Sequence, residues 1–156
     1  MNKGVGVLLI VVLFSMIRCS RENVVLSEYK NLDQAKWGFQ DSLYFDWEID
    51  DTTTIYNVDL LLRTSISYKW ANIYIFSDIY FPNGKARRDT FELFLADKKG
   101  HWVGDRSGIM VKYNFPLFKK IKLPIAGKYK FSIQQAMRDT LLSEVSNVGI
   151  KITLPK

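Results

Sequence analysis

Along most of this chain the apolar positions recur every second residue. Leu43, Phe45, Trp47 and Ile49 fall on one side of a segment whose alternate positions are Tyr44, Asp46 and Glu48, the period-two pattern of a half-buried strand. Tyr56 to Arg63 alternates again, after the polar turn Asp50-Asp51-Thr52-Thr53-Thr54. Trp70 to Phe81 is aromatic and β-branched, which suits a pleated surface. Pro82-Asn83-Gly84 follows, and Asn-Gly predicts a type I′ hairpin turn returning into Arg87 to Leu95. Asp97 to Gly108 reads as a long glycine-punctuated loop. Ile109 to Phe115 reads as a strand stopped by Pro116, followed by a short segment at Ile121–Pro124. Lys128 to Ile133 and Val148 to Ile152 complete the series, and residues 139–146 read as a helical turn or loop. Val24 to Tyr29 is a first strand or extended segment within a polar lead-in over residues 20–42. Eight or nine short strands with no helix of three turns predict an all-β fold: a single antiparallel, jelly-roll-like β-sandwich over residues 24–156.

The N-terminus breaks this pattern. Lys3 precedes an apolar run from Val5 to Ile17, interrupted only by Gly6 and Ser15. The run is shorter than the roughly 20 residues a membrane-spanning helix needs, and it fits the apolar region of a secretory signal. It ends at Arg18-Cys19-Ser20, and Cys19 is the chain's single cysteine. That position predicts a lipoprotein signal peptide over residues 1–18, a lipidated Cys19 and a short tether over residues 19–23. Arg18 stands where a small residue is usual. Two or more acyl chains on Cys19 would hold the downstream domain at a membrane leaflet.

Composition narrows the chemistry. One Cys and one His exclude a disulfide scaffold and a Cys/His zinc site. The formal net charge is +6. Removing residues 1–18 takes away Lys3 and Arg18 and no acid, which leaves +4. These bases are scattered, unlike the concentrated stripe of a nucleic-acid-binding surface. Lys119, Lys120 and Lys122 are the exception, read as guards of an exposed sheet edge or as contacts to acidic lipid headgroups. His101 lies in a Gly-flanked loop with no nucleophile motif around Ser107, so no catalytic residues are assigned. Asp46, Glu48, Asp50 and Asp51 lack the compact oxygen-rich spacing of a calcium loop, and no metal or other cofactor is expected beyond the covalent lipid on Cys19. Trp47 belongs to a strand's apolar face. Trp37 and Trp102 fall in predicted loops, either packed on the core or exposed to a partner.

The order of short motifs adds a resemblance. Phe81-Pro82-Asn83-Gly84-Lys85, Asp89-Thr90, Ala96-Asp97, Gly100-His101-Trp102-Val103-Gly104 and Tyr129 to Arg138 occur in sequence. Glu28-Tyr29-Lys30, Trp37, Asp51-Thr52 and Tyr56-Asn57 accompany them. Over roughly residues 24–152 the chain resembles the GldH family of gliding motility lipoproteins of Bacteroidota, and the position of Cys19 agrees. The resemblance implies a non-enzymatic, outer-membrane lipid-anchored accessory of gliding motility and the associated type IX protein secretion. Its implied partners are the membrane and other Gld or secretion-system envelope proteins, with no nucleic acid and no small-molecule substrate. Gln134 to Arg138 reads either as a corner that satisfies buried backbone or as a docking surface anchored by Arg138. Trp37, Trp102 and Arg138 are the candidate partner surface. The competing reading is a surface β-sandwich module that captures glycan or peptide, which would cluster exposed aromatics in one groove.

Overall fold

The computed structural model describes residues 23–155; the expected signal peptide over residues 1–18 and Cys19 lie outside the described residues. Among the described residues the strands are β1 (Val24–Asn31), β2 (Lys36–Gly38), β3 (Leu43–Ile49), β4 (Ile55–Ser65), β5 (Asn72–Tyr80), β6 (Ala86–Phe94), β7 (Asp105–Ser107), β8 (Met110–Lys122), β9 (Gly127–Gln135), β10 (Leu141–Ser143) and β11 (Val145–Thr153). One 3-10 turn occupies Asp33–Ala35.

The pairing is nested. β5 pairs with β6, β4 with β8, β3 with β9, β2 with β10 and β1 with β11, all antiparallel. The chain is thus one long ribbon doubled back at the β5–β6 hairpin. The ribbon then wraps, and β11 joins β4 while β9 joins β5. The result is a five-stranded sheet in the order β1-β11-β4-β8-β7, a four-stranded sheet in the order β3-β9-β5-β6, and the small β10-β2 pair. A nested ribbon wrapped into two sheets is the jelly-roll sandwich that the strand pattern predicts.

The core lies between the two large sheets. Phe45, Trp47, Ile73, Ile75, Phe131 and Ile133 come from one inner face, and Val58, Leu60, Leu62, Val111, Ile150 and Ile152 from the other; all are buried. Each such side chain contributes roughly 1.5–3 kcal/mol on leaving water. Trp47 meets Tyr56 edge to face, with ring centroids 4.6 Å apart.

The two ends of the sandwich differ. One end gathers the start of β1, the end of β11, the start of β4, the end of β8 and the β5–β6 hairpin. The opposite end gathers the start of β5, the end of β9 and the connections over residues 66–71 and 136–140.

Several local expectations change. Of Pro82-Asn83-Gly84, only Gly84 takes a positive φ, +80°. Gly84 N–H donates to Phe81 O at 3.0 Å, and Phe81 N–H donates to Lys85 O at 2.8 Å. The hairpin is therefore a three-residue loop with a terminal left-handed glycine rather than a type I′ turn. Pro82 enforces this, because its ring holds φ near −65°. Pro116 does not end its strand. β7 accompanies β8 only over Met110–Lys112, so Pro116 sits on an edge where a missing N–H breaks no second ladder. The 97–108 loop contains β7 and an isolated bridge between Ala96 and Trp102. Residues 139–146 form β10 and the start of β11 rather than a helical turn. The polar lead-in contains β2, which seats Trp37 in the core.

Candidate functional site

A groove of about 690 Å³ opens at the end of the sandwich where β9 finishes and β5 begins, lined by Trp70, Asn72, Tyr74, Met137, Arg138 and Asp139. Asn72 and Tyr74 stand on the outer face of β5, since the alternate residues Ile73 and Ile75 are buried. Opposite them, the chain leaves β9 and turns sharply over residues 136–140.

That turn is held by amides. Gln135 is 2% exposed. Its side-chain nitrogen donates to Asp139 O at 2.9 Å, and its oxygen accepts from Met137 N–H at 2.8 Å. Ala136 N–H donates to Tyr74 O at 2.8 Å. Tyr74 N–H in turn donates to Met137 Sδ at 3.2 Å. Gln134, pointing the other way, donates to Phe39 O at 2.6 Å. Gln135 thus holds the corner, Gln134 ties it to Phe39, and Arg138 stands at its rim. Arg138 is exposed, and among the described residues it makes no hydrogen bond or ion pair.

Trp70 closes the inner wall. Its indole N–H donates to Asp139 Oδ2 at 3.0 Å, and the Lys69 ammonium lies 4.5 Å from the ring centre. Behind this contact a smaller cavity of about 260 Å³ is lined by Tyr68, Leu142 and Glu144 among others. The Tyr68 hydroxyl is buried without a hydrogen-bond partner among the described residues. Burial pushes its phenol pKa up, and the nearby Asp139 charge adds to the shift. On β6, Glu92 accepts from Asn72 Nδ2 at 2.7 Å. A hydrogen bond with Glu92, its cross-strand neighbour, also pushes the Tyr74 phenol pKa up.

The groove therefore offers one free guanidinium, an indole face, a phenol and a thioether. Among the described residues no group of His, Cys, Asp and Glu is placed to hold a metal ion. His101 is exposed, with its ring nitrogen 3.3 Å from Asp97 Oδ2. Asp97 also accepts from the His101 and Lys99 backbone N–H groups, which hold its carboxyl below the usual range.

The candidate partner residues separate. Arg138 lines the groove. Trp102 is partly buried against the core beside the Ala96 bridge and does not line it. Trp37 is corrected outright: it is wholly buried, and its indole N–H donates to Asp41 O at 2.9 Å. β2 and β10 clamp it, with Leu142 directly across, so it offers no surface to a partner. Trp70, which the sequence places only at the head of a strand, is the tryptophan of the groove. Its partner Asp139 is 69 residues away, so no local spacing signals the pair.

Comparison with known proteins decides the family. Residues 24–152 match the profile of the GldH lipoprotein family. The chain belongs to the GldH lipoprotein family. It is 30% identical over 158 aligned positions to the gliding motility lipoprotein GldH of Flavobacterium johnsoniae, covering 97% of this chain and 95% of that one. It is 29% identical to a gliding motility lipoprotein GldH homolog of Christiangramia forsetii, covering 91% and 89%. Among solved structures, the Yersinia pseudotuberculosis-derived mitogen aligns with 87% of this chain and 89% of its own, at 10% identity and a TM-score of 0.38.

Proposed function

We propose that this protein is a non-enzymatic, lipid-anchored envelope protein that serves gliding motility as an accessory of its machinery and of the associated type IX secretion. The observation that carries the reading is the GldH match across residues 24–152, downstream of an apolar run that ends at the single cysteine, Cys19. Cys19 would carry the acyl chains that hold the domain at the outer membrane. The body then acts by binding, and the groove at the β9–β5 end is the surface that supports it best. Arg138 at its rim and Trp70 on its inner wall are residue types that dominate protein interfaces.

Crosslinking in intact cells tests this. The lipoprotein is recovered from the envelope and its crosslinked neighbours are identified by mass spectrometry. Recovery of other motility or secretion components, reduced several-fold by Arg138→Ala or Trp70→Ala and unchanged by Lys99→Ala, supports docking through the groove. Recovery of the protein alone, or only with glycan-uptake proteins, overturns it.

A further inference from the structure

We infer that the sandwich end bearing Lys119, Lys120 and Lys122 rests on anionic, phosphate-bearing lipid headgroups, which turns the groove away from the bilayer. The inference builds on the anchoring of Cys19 proposed above.

The lysines lie on β8, where the pairing is irregular. Two consecutive register shifts against β4 interrupt its alternation. Asp59 faces Pro116 and Val58 faces Phe118, so Leu117 is an extra residue; Leu117 and Phe118 are both buried. Tyr56 then faces Ile121, which leaves Asn57 opposite both Lys119 and Lys120. In a regular strand these two lysines would point to opposite faces. The second bulge turns both outward, and both are exposed. Lys120 adopts φ +53°, a left-handed conformation unusual for a lysine, and its N–H is held by Asn57 Oδ1 at 2.9 Å. Among the described residues none of Lys119, Lys120 and Lys122 forms an ion pair. Of the nearby acids, Asp59 is paired with Lys151 at 3.6 Å. Asp51 accepts hydrogen bonds from Thr53 and Thr54 and lies within the field of Lys122.

The register places this cluster near the start of β1, the strand that follows Cys19 in the chain. Val24 pairs with Thr153, Thr153 with Asn57, and Asn57 faces the two lysines. Strands lie about 4.8 Å apart, so Val24 and the lysines are separated by roughly 15 Å. Cys19 stands five residues before Val24 and cannot be more than about 18 Å from it. The same end exposes Val24, Val25 and Ile55, at 49%, 46% and 41%. Lysines and a bulge also guard an open sheet edge; the exposed Val24, Val25 and Ile55 at the same end are the feature that edge protection leaves unexplained. The groove lies along β5 at the far end, roughly 27 Å away from Tyr80 to Asn72 at about 3.4 Å per residue.

The test uses the mature lipoprotein purified from envelopes, with its intact mass measured first. With Cys19 in a thioether, an introduced cysteine is the sole thiol. A donor dye is placed at Asn83→Cys, on the lysine end, or at Lys99→Cys, on the groove end. Energy transfer to a headgroup acceptor is read in phosphatidylethanolamine–phosphatidylglycerol vesicles. Transfer from position 83 should exceed that from position 99 by about twofold or more. The difference should collapse in pure phosphatidylcholine, in high salt, and in K119Q/K120Q/K122Q, since each lysine near an anionic surface changes occupancy about fivefold. The double variant K119Q/K122Q leaves the strained position native and should show an intermediate loss. Equal transfer from the two positions, or indifference to headgroup charge, overturns the orientation. A mass lacking the acyl increment overturns the anchoring instead.

Discussion

Two adjacent glutamines carry opposite expectations. Gln134 and Gln135 are chemically identical, yet the pleat sends one outward and the other inward beside Ile133 and Ile75. Gln135→Met keeps the volume of the side chain and removes both of its bonds, to Met137 N–H and Asp139 O. Each backbone group left unpaired costs about 1 kcal/mol where water can reach it and about 3 kcal/mol where it cannot. Both bonds are part-buried, so the expected loss is about 2–3 kcal/mol. For a domain of this size that lowers Tm by roughly 10 °C. Gln134→Ala removes one exposed bond to Phe39 O and should cost only about 0.5 kcal/mol. Urea denaturation of the two variants measures the difference. Loosening the corner also frees Asp139 from Trp70, so the Gln135→Met protein should show red-shifted native fluorescence before any unfolding. Equal losses from the two variants, or a loss below about 1 kcal/mol from Gln135→Met, would refute the view that this one amide holds the groove.

Other outcomes follow from the same geometry. Trp37→Ala should cost about 3–5 kcal/mol, read by denaturation and by reduced abundance in the envelope, because a wholly buried indole is removed. Gly149→Ala would set a Cβ in collision with Glu28 O and 3.1 Å from Tyr29 Cα. β1 must then lift from β11 at a cost of about 2–3 kcal/mol, and hydrogen exchange should show β1 amides losing protection first. Hydrogen bonds from Thr53 and Thr54 lower the Asp51 pKa from 3.8 to about 2. A depressed carboxyl stabilises the fold above its unfolded value, and that contribution fades as pH falls from about 4 through about 2. NMR titration should find this pKa, and Thr53→Ala should raise it.

How much of this is legible in the sequence depends on how many residues each element devotes to the core. β3 declares itself because four alternate positions, Leu43 to Ile49, all turn inward, and the burial of its residues follows the same alternation. β7 (Asp105–Ser107) is exposed at every position and so carries no apolar signal. β2 and β10 have three residues each, too few to show a period, and they form only because the nested ribbon brings them together. Trp37 reads as a loop residue for that reason. Pro116 reads as a stop because local chemistry reports the missing N–H but not the absent neighbour strand. The groove is half legible. The Gln134 to Arg138 segment stands out as a motif, whereas Trp70 and Asp139 meet only through the topology.

The same nesting sets the polarity of the molecule. In a ribbon folded back on itself, the first and last strands lie side by side, so the start of β1 and the end of β11 share one end of the sandwich. An anchor joined to β1 is therefore joined to that end, next to the bulge lysines of β8. β5 runs towards this end from Asn72 to Tyr80, and β9 runs away from it to Gln135. The corner after β9 must then meet the start of β5 at the opposite end, which is where Trp70, Tyr74 and Arg138 converge. Moving the anchor to the other end of β1 would invert this arrangement without altering a single core contact. In the proposed orientation the strand order, more than any individual side chain, would determine which surface meets the membrane and which is left for a partner.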